Sequence, residues 1–258
     1  RGKNAIEKGP KLNFWRAPID NDNTDITYNY TAQWKKAGID KLSQRLDELE
    51  VAEVSSSYVL VKSRYTIAPA AKDLIIRAQL EYKILNSGEV QLRAEGHFAD
   101  GKEHSLPRIA LEVELREDLS NISWFGRGPG ESYPDSKRAA YIDLFTKELE
   151  ELHTPYVYPQ DNGNRSDLKW LELKNRLGAG IEFFSSKKFD FTAHSYSKED
   201  LELAEHDCEL PIRDRIYLDL IHKNRGLGST SCGPKKLEKY ELNLKDFEFE
   251  LSFKGTDY

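Results

Sequence analysis

The residues best equipped for chemistry gather in short islands. The first is Asn13-Phe14-Trp15-Arg16-Ala17-Pro18-Ile19-Asp20-Asn21-Asp22. Aromatics beside a guanidinium and Asp/Asn side chains suit a surface that grips a polar ring such as a sugar. The plainer reading is a strand end with a packed Trp, followed by an Asx-type turn. Acid–base cleavage of a glycosidic bond with retention needs two carboxyl groups about 5–5.5 Å apart. Glu131 and Asp135, in the island Trp124-Phe125-Gly126-Arg127-Gly128-Pro129-Gly130-Glu131-Ser132-Tyr133-Pro134-Asp135, are the most tempting pair. Their Gly and Pro neighbours favour a shaped loop in which a carboxylate accepts backbone N–H bonds. Glu81, Glu95, Glu112 and Glu114 fall on the polar side of alternating segments and read as solvated surface. His194 or His222 with Glu182 could be imagined as an acid/base pair on a sugar ring, but no spacing supports it. The two cysteines, Cys208 and Cys232, form no disulfide framework, and the histidines show no zinc spacing.

The elements that must position these groups are strands. From Leu74 to Ile84 the even positions are apolar and the odd ones mostly polar, the period of a half-buried strand. Asn86-Ser87-Gly88-Glu89 reads as a turn, and Val90, Leu92 and Ala94 as the inward face of the return strand. Similar alternation covers 109–115, 216–220 and 247–253, with shorter apolar stretches at 59–65 and 181–184. Helical signals are few. Residues 32–37 with Gly38 behind them fit one or two turns with a Gly C-cap. Ser197-Lys198-Glu199-Asp200 reads as a capping box opening a short helix. Many strands separated by turns imply an all-β sandwich. No linker-like tract or internal repeat divides the chain, so 1–258 reads as one domain.

Composition narrows the function. Lys+Arg 38 against Asp+Glu 44 gives a net charge of −6, the opposite of a nucleic-acid footprint. Apolar runs are too short for a membrane span, and no signal-peptide pattern is present. A first residue Arg1 suits a fragment or processed product with its N-terminal edge truncated; the chain also contains no Met. The sequence leaves the compartment open between cytoplasm and periplasm.

Two further islands complete the pattern: Thr154-Pro155-Tyr156-Val157-Tyr158-Pro159-Gln160-Asp161-Asn162-Gly163-Asn164-Arg165 and Gly226-Leu227-Gly228-Ser229-Thr230-Ser231-Cys232-Gly233-Pro234. In order and spacing the four resemble the small chain, or C-terminal domain, of the large bacterial β-galactosidases of glycoside hydrolase family 2. The likeness runs from about Lys11 to Phe253. It implies a large antiparallel supersandwich like that of galactose mutarotases. It also implies that both catalytic carboxylates, with Mg2+ and Na+, belong to a separate (β/α)8 barrel, and that the complete enzyme is an oligomer acting on β-galactosides. This chain would then be non-catalytic and supply the rim of the site. The implied rim residues are Asp22, Asn23 and Thr24, in a loop continuing through Asp25-Ile26-Thr27, together with Ser231 and Cys232. Asn23-Thr24 replaces a Gly found shortly after the second Asp in some members. Cys232 stands where certain members hold a Trp that stacks on the leaving sugar. Trp15, Arg16, Trp124, Arg127, Tyr133, Asn162 and Arg165 are expected to hold loops or face the barrel, with Phe14, Trp15 and the Trp124 island as an exposed docking patch. The alternatives are an aldose-mutarotase-like enzyme and a stand-alone carbohydrate-binding module.

Overall fold

A computed structural model describes residues 4–24 and 29–256. In chain order the strands are β1 (Ile6–Asn13), β2 (Leu42–Val54), β3 (Tyr58–Pro69), β4 (Ile76–Leu85), β5 (Val90–Phe98), β6 (His104–Ser105), β7 (Arg108–Arg116), β8 (Asn121–Gly128), β9 (Tyr141–Glu148), β10 (Arg165–Lys174), β11 (Gly180–His194), β12 (Arg215–Asn224), β13 (Asn243–Leu244) and β14 (Asp246–Thr256). The helices are α1 (Tyr30–Ala37) and α2 (Lys198–Leu203). The all-β, antiparallel expectation holds.

The main sheet runs β1-β7-β12-β11-β14-β5-β4-β3-β2, with β10, β8 and β9 branching from β11. β11 is the hub. Its first residues pair with both β10 and β14, and its last five, Asp190 to His194, pair with β12. A strand that changes partners midway folds one sheet over another, and the period-two apolar faces meet between them. Leu111, Val113 and Leu115 from β7, Ile216 and Leu218 from β12, and Leu171 and Leu173 from β10 are buried there.

Local rules account for the connections. The β4–β5 turn closes with Leu85 N–H on the Glu89 carbonyl at 2.9 Å and Gly88 N–H on the Leu85 carbonyl at 3.0 Å. Asn29 Oδ1 accepts from Ala32 N at 2.7 Å and caps α1. Gly38 ends that helix at φ +84°, where an added Cβ would lie 2.6 Å from Pro69 Cβ. Ser197 and Asp200 cap α2 reciprocally, each accepting from the other's backbone N–H at 3.1 and 3.0 Å.

The register brings four islands to one end of the sandwich. β1 ends where β7 begins, Asn13 opposite Ala110. β12 ends there too, Asn224 opposite Arg108. β10 begins there, Arg165 opposite Phe191, which in turn faces Leu220.

Candidate functional site

After β1 the chain runs buried through Phe14–Ile19 into a 3-10 turn at Asp20–Asp22. Asp22 is fully buried; its Oδ2 accepts from Ile19 N at 3.2 Å and pairs with Arg16 at 3.0 Å. Asn21 then ties this turn to the fourth island. Its Nδ2 donates to the Gly228 carbonyl at 2.8 Å, and its Oδ1 accepts from Ser231 N at 2.9 Å and from the Ser231 hydroxyl. The Asn21 carbonyl accepts from Thr230 Oγ1 at 2.6 Å. From the second island, Asp135 accepts from Leu227 N at 2.9 Å and Gly228 N at 2.7 Å. The result is a lip in which Asn23, Ser231 and Cys232 are exposed and Thr24 is half-buried. Of the expected rim residues, Asn23, Thr24, Ser231 and Cys232 have accessible surface on this lip, whereas Asp22 lies buried beneath it with its carboxylate turned inward onto Arg16 and the Ile19 N–H; Asp25, Ile26 and Thr27 fall outside the described residues.

Behind the lip is a buried ion network. Arg108 grips both carboxylate oxygens of Asp161 at 2.9 and 3.0 Å and Asp219 at 2.7 Å. Arg16 reaches Asp161 at 4.0 Å, and the Tyr133 hydroxyl donates to it at 2.9 Å. Burial works against the charge on Arg108, but Asp161 and Asp219 outweigh it and its pKa rises. Truncating one member of such a buried pair typically costs about 3–5 kcal/mol.

The remaining predicted side chains hold backbone. Arg165 donates to the carbonyls of Leu152 at 2.8 Å, Gly163 at 2.6 Å and Pro129 at 3.2 Å, joining the second and third islands. Its burial lowers its pKa to about 10. Asn162 accepts from Thr154 N at 3.0 Å and donates to the Gln160 carbonyl at 3.0 Å. Arg127 binds Asp167 at 2.6 Å and the carbonyls of Lys137 and Ala140. Trp124 Nε1 donates to the Arg127 carbonyl at 3.0 Å.

Neither tempting carboxylate stands free. Glu131 accepts from Gly163 N at 2.8 Å, Thr154 Oγ1 at 3.1 Å and the Tyr156 hydroxyl. Asp135 is engaged on the fourth island, as above. Nor do His194 and His222 meet Glu182. Glu182 sits twelve positions before His194 on the same strand, about 40 Å of extended chain, and pairs with Lys254 at 3.0 Å. His222 stacks on Phe249 at 4.8 Å, with burial and neighbouring lysines lowering its pKa to about 4. Among the described residues no group of three His, Cys, Asp or Glu could hold a metal ion. No helix there is long and apolar enough to cross a membrane.

One expectation is corrected. Phe14, Trp15 and Trp124 are not a docking patch: they are 2%, 5% and 0% exposed. Phe14 meets Phe247 edge-on at 5.6 Å, Trp15 meets Trp34 at 6.1 Å, and Trp124 lies against Phe145 and Phe191. The domain's own core takes them because the chain folds inward after β1 and because Trp124 falls on the inner face of β8. The exposed partner of that alternation is Phe125, opposite Leu144 and Trp170. Asp161, Arg108, Asp219 and Asn21 were missed as site residues. Asp219 lies between Leu218 and Leu220 in an alternating strand, where the pattern reads solvent; here other chain covers that face.

A family model described as "Beta galactosidase small chain" matches residues 1–253. A β-galactosidase of Psychromonas ingrahamii is 34% identical, the match covering 97% of this chain and 24% of that protein. One from Kluyveromyces lactis is 32% identical with the same two coverages, 97% and 24%. The chain therefore spans about a quarter of the length of these relatives. Among solved structures, a galactose mutarotase related enzyme from Lactobacillus acidophilus aligns with a TM-score of 0.42 and 8% identity, over 81% of this chain and 71% of that one. A GalM/aldose epimerase homologue from C. elegans aligns with a TM-score of 0.44 and 10% identity, over 81% and 68%.

Proposed function

We propose that this chain, which belongs to the β-galactosidase small-chain family, is a non-catalytic wall of a β-galactosidase. In this reading the retaining carboxylates, and the Mg2+ and Na+ that the family resemblance implies, lie in a (β/α)8 barrel outside this chain, and the complete enzyme is an oligomer. The chain contributes the lip: Asn23 and Thr24 on one side, held from beneath by the buried Asp22, and Ser231 and Cys232 on the other. The observation that carries the reading is the Asn21 stitch to Gly228, Thr230 and Ser231. It fixes two loops far apart in sequence into one exposed polar edge, on a frame of buried ion pairs. Preorganised loops of this kind lower the entropy lost on holding a substrate. The engagement of Glu131 and Asp135 with backbone and hydroxyl donors supports the absence of a nucleophile here. Cys232 is too small to stack on a pyranose, so contact with the leaving sugar is expected to be weak at that point.

The test is hydrolysis of a chromogenic β-galactoside by the 258-residue chain alone. The expected rate equals the uncatalysed one. Turnover clearly above it, abolished by Glu131→Gln or Asp135→Asn with the fold intact, overturns the assignment.

A further inference from the structure

One edge of the large sheet is left open. Among the described residues three of its strands, β1, β2 and β9, pair on one side only. A free edge invites pairing with another chain unless a proline, a bulge or like charges blunt it. β1 carries Pro10 and two irregularities of register. β2 has two irregularities and the carboxylates of Asp47, Glu48, Glu50 and Glu53. β9 has no proline, its charges are of both signs, and it follows β8 in unbroken register from Tyr141 to Glu148. Its outward face is apolar: Ile142 and Leu144 are exposed, with Phe125 of β8 beside Leu144.

Neighbouring side chains show which backbone groups face the open side. The Leu144 N–H donates to Asp143 Oδ1 at 2.8 Å and the Glu148 N–H to Glu151 Oε2 at 2.9 Å, so neither serves β8. The Leu149 N–H, one residue on, points the other way and meets the Ser120 carbonyl at 2.9 Å. Backbone groups alternate between the two sides of a strand. The N–H groups of Ile142 and Thr146 therefore also point off the sheet, and they meet no protein acceptor among the described residues.

A second β9, antiparallel about a twofold axis at Phe145, satisfies both. Ile142 N–H then reaches the Glu148 carbonyl of the second copy, and Thr146 N–H its Leu144 carbonyl. The two Phe145 rings face each other, and the two Leu144 side chains lie diagonally across the axis, an arrangement that stabilises strand pairs. Charge selects this register. Asp143 faces the second copy's Lys147, and Lys147 its Asp143. Lys147 has donors to give, since its one long contact, 3.5 Å, is to the Glu151 carbonyl. A slide of two residues sets each charge against an apolar or aromatic side chain. A slide of four sets Asp143 against Asp143 or Lys147 against Lys147. Odd slides put outward residues opposite inward ones.

We propose that β9 is a self-association edge, pairing with β9 of a second copy of this chain so that the two sheets run on as one. The proposal does not rest on the reading of the lip.

The chain has its own continuous core, so the test is sedimentation velocity of the 258-residue chain over a concentration series. A monomer–dimer equilibrium is expected. Asp143→Lys and Lys147→Asp each turn both attractive cross-strand pairs into repulsive ones, and each should raise the dimer Kd about tenfold or more. The double variant exchanges the two charges and should return to within a few-fold of the parent. Thr146→Pro removes a donor that β8 does not use and should leave a folded monomer. A parent chain still monomeric at about 0.1 mM would assign the edge to the rest of a longer protein and overturn the proposal. So would single reversals that dimerise as well as the parent, a double variant no tighter than the single ones, or a Thr146→Pro dimer of parental affinity.

Discussion

Asn21 uses its amide nitrogen, its side-chain oxygen and its backbone carbonyl on three successive parts of the opposite loop. An amide on a one-carbon stem puts a donor and an acceptor on two separate atoms, which a hydroxyl cannot do. Cys232, next to the last of those contacts, is exposed, and its thiol lies 3.9 Å from the Ser231 hydroxyl. Cys232→Trp in the complete enzyme should add a stacking surface worth on the order of 1 kcal/mol, by analogy with aromatic pairs. Acceptor affinity for glucose should rise several-fold, and transfer should gain on hydrolysis; progress curves with and without added glucose measure both. Unchanged partitioning in a folded variant would place Cys232 off the rim. His194 gives a second residue-scale test. Its folded pKa, about 3, lies below the unfolded value near 6.5. As pH falls through that window the unfolded state takes up the proton first, so stability is lost from about 6.5 downward. Between neutrality and pH 5 the wild type should lose about 2 kcal/mol more than His194→Gln. Denaturant unfolding at the two pH values checks this, and equal losses would contradict it.

At the scale of elements, the lip depends on how closely the fourth island lies against the second. A Cβ at Gly226 would sit 2.9 Å from the Asp135 carboxyl carbon and 2.9 Å from Tyr240 Cβ. Gly226→Ala should therefore push the loop off Asp135 and cost about 1–3 kcal/mol, read as a lower urea midpoint at unchanged slope. A midpoint equal to the parent's would mean the loop gives way freely. What the sequence makes legible follows the same physics. Strands with one buried face, β4, β5, β7, β12 and β14, announce themselves by alternation, and Ser197 and Gly38 mark helix ends by their chemistry, whereas the Asn29 cap, ahead of the expected start at Ala32, shows only in the structure. β2 is hidden because it has no buried face: nearly all its residues are exposed, and irregularities at Leu46/Glu48 and Val51/Glu53 break the period. β11 runs on beyond its apolar stretch at 181–184 because, still paired with β10, it leaves β14 after Phe184 and takes up β12 from Asp190. The lip residues were legible as motifs, but their contact was not. Asn21 and Ser231 are 210 positions apart, and only the closing of the sheet brings them together. Arg108, Asp161 and Asp219 were illegible for the converse reason: a polar residue on an outward position signals solvent unless something covers it.

For the whole molecule, the central claim is that a frame with its own core presents a lip that a separate catalytic part needs. The frame is fixed by the buried Arg16, Arg108, Asp22, Asp161 and Asp219, so a lip variant can be altered without touching it. The most direct measurement is the steady-state kinetics of Asn21→Ala in the complete enzyme, with the unfolding midpoint as control. The account predicts kcat/KM on a β-galactoside lowered about tenfold or more, the scale of losing one or two positioning hydrogen bonds, at a midpoint within error of the parent. An unchanged kcat/KM in a variant that has lost the Asn21 contacts would contradict it.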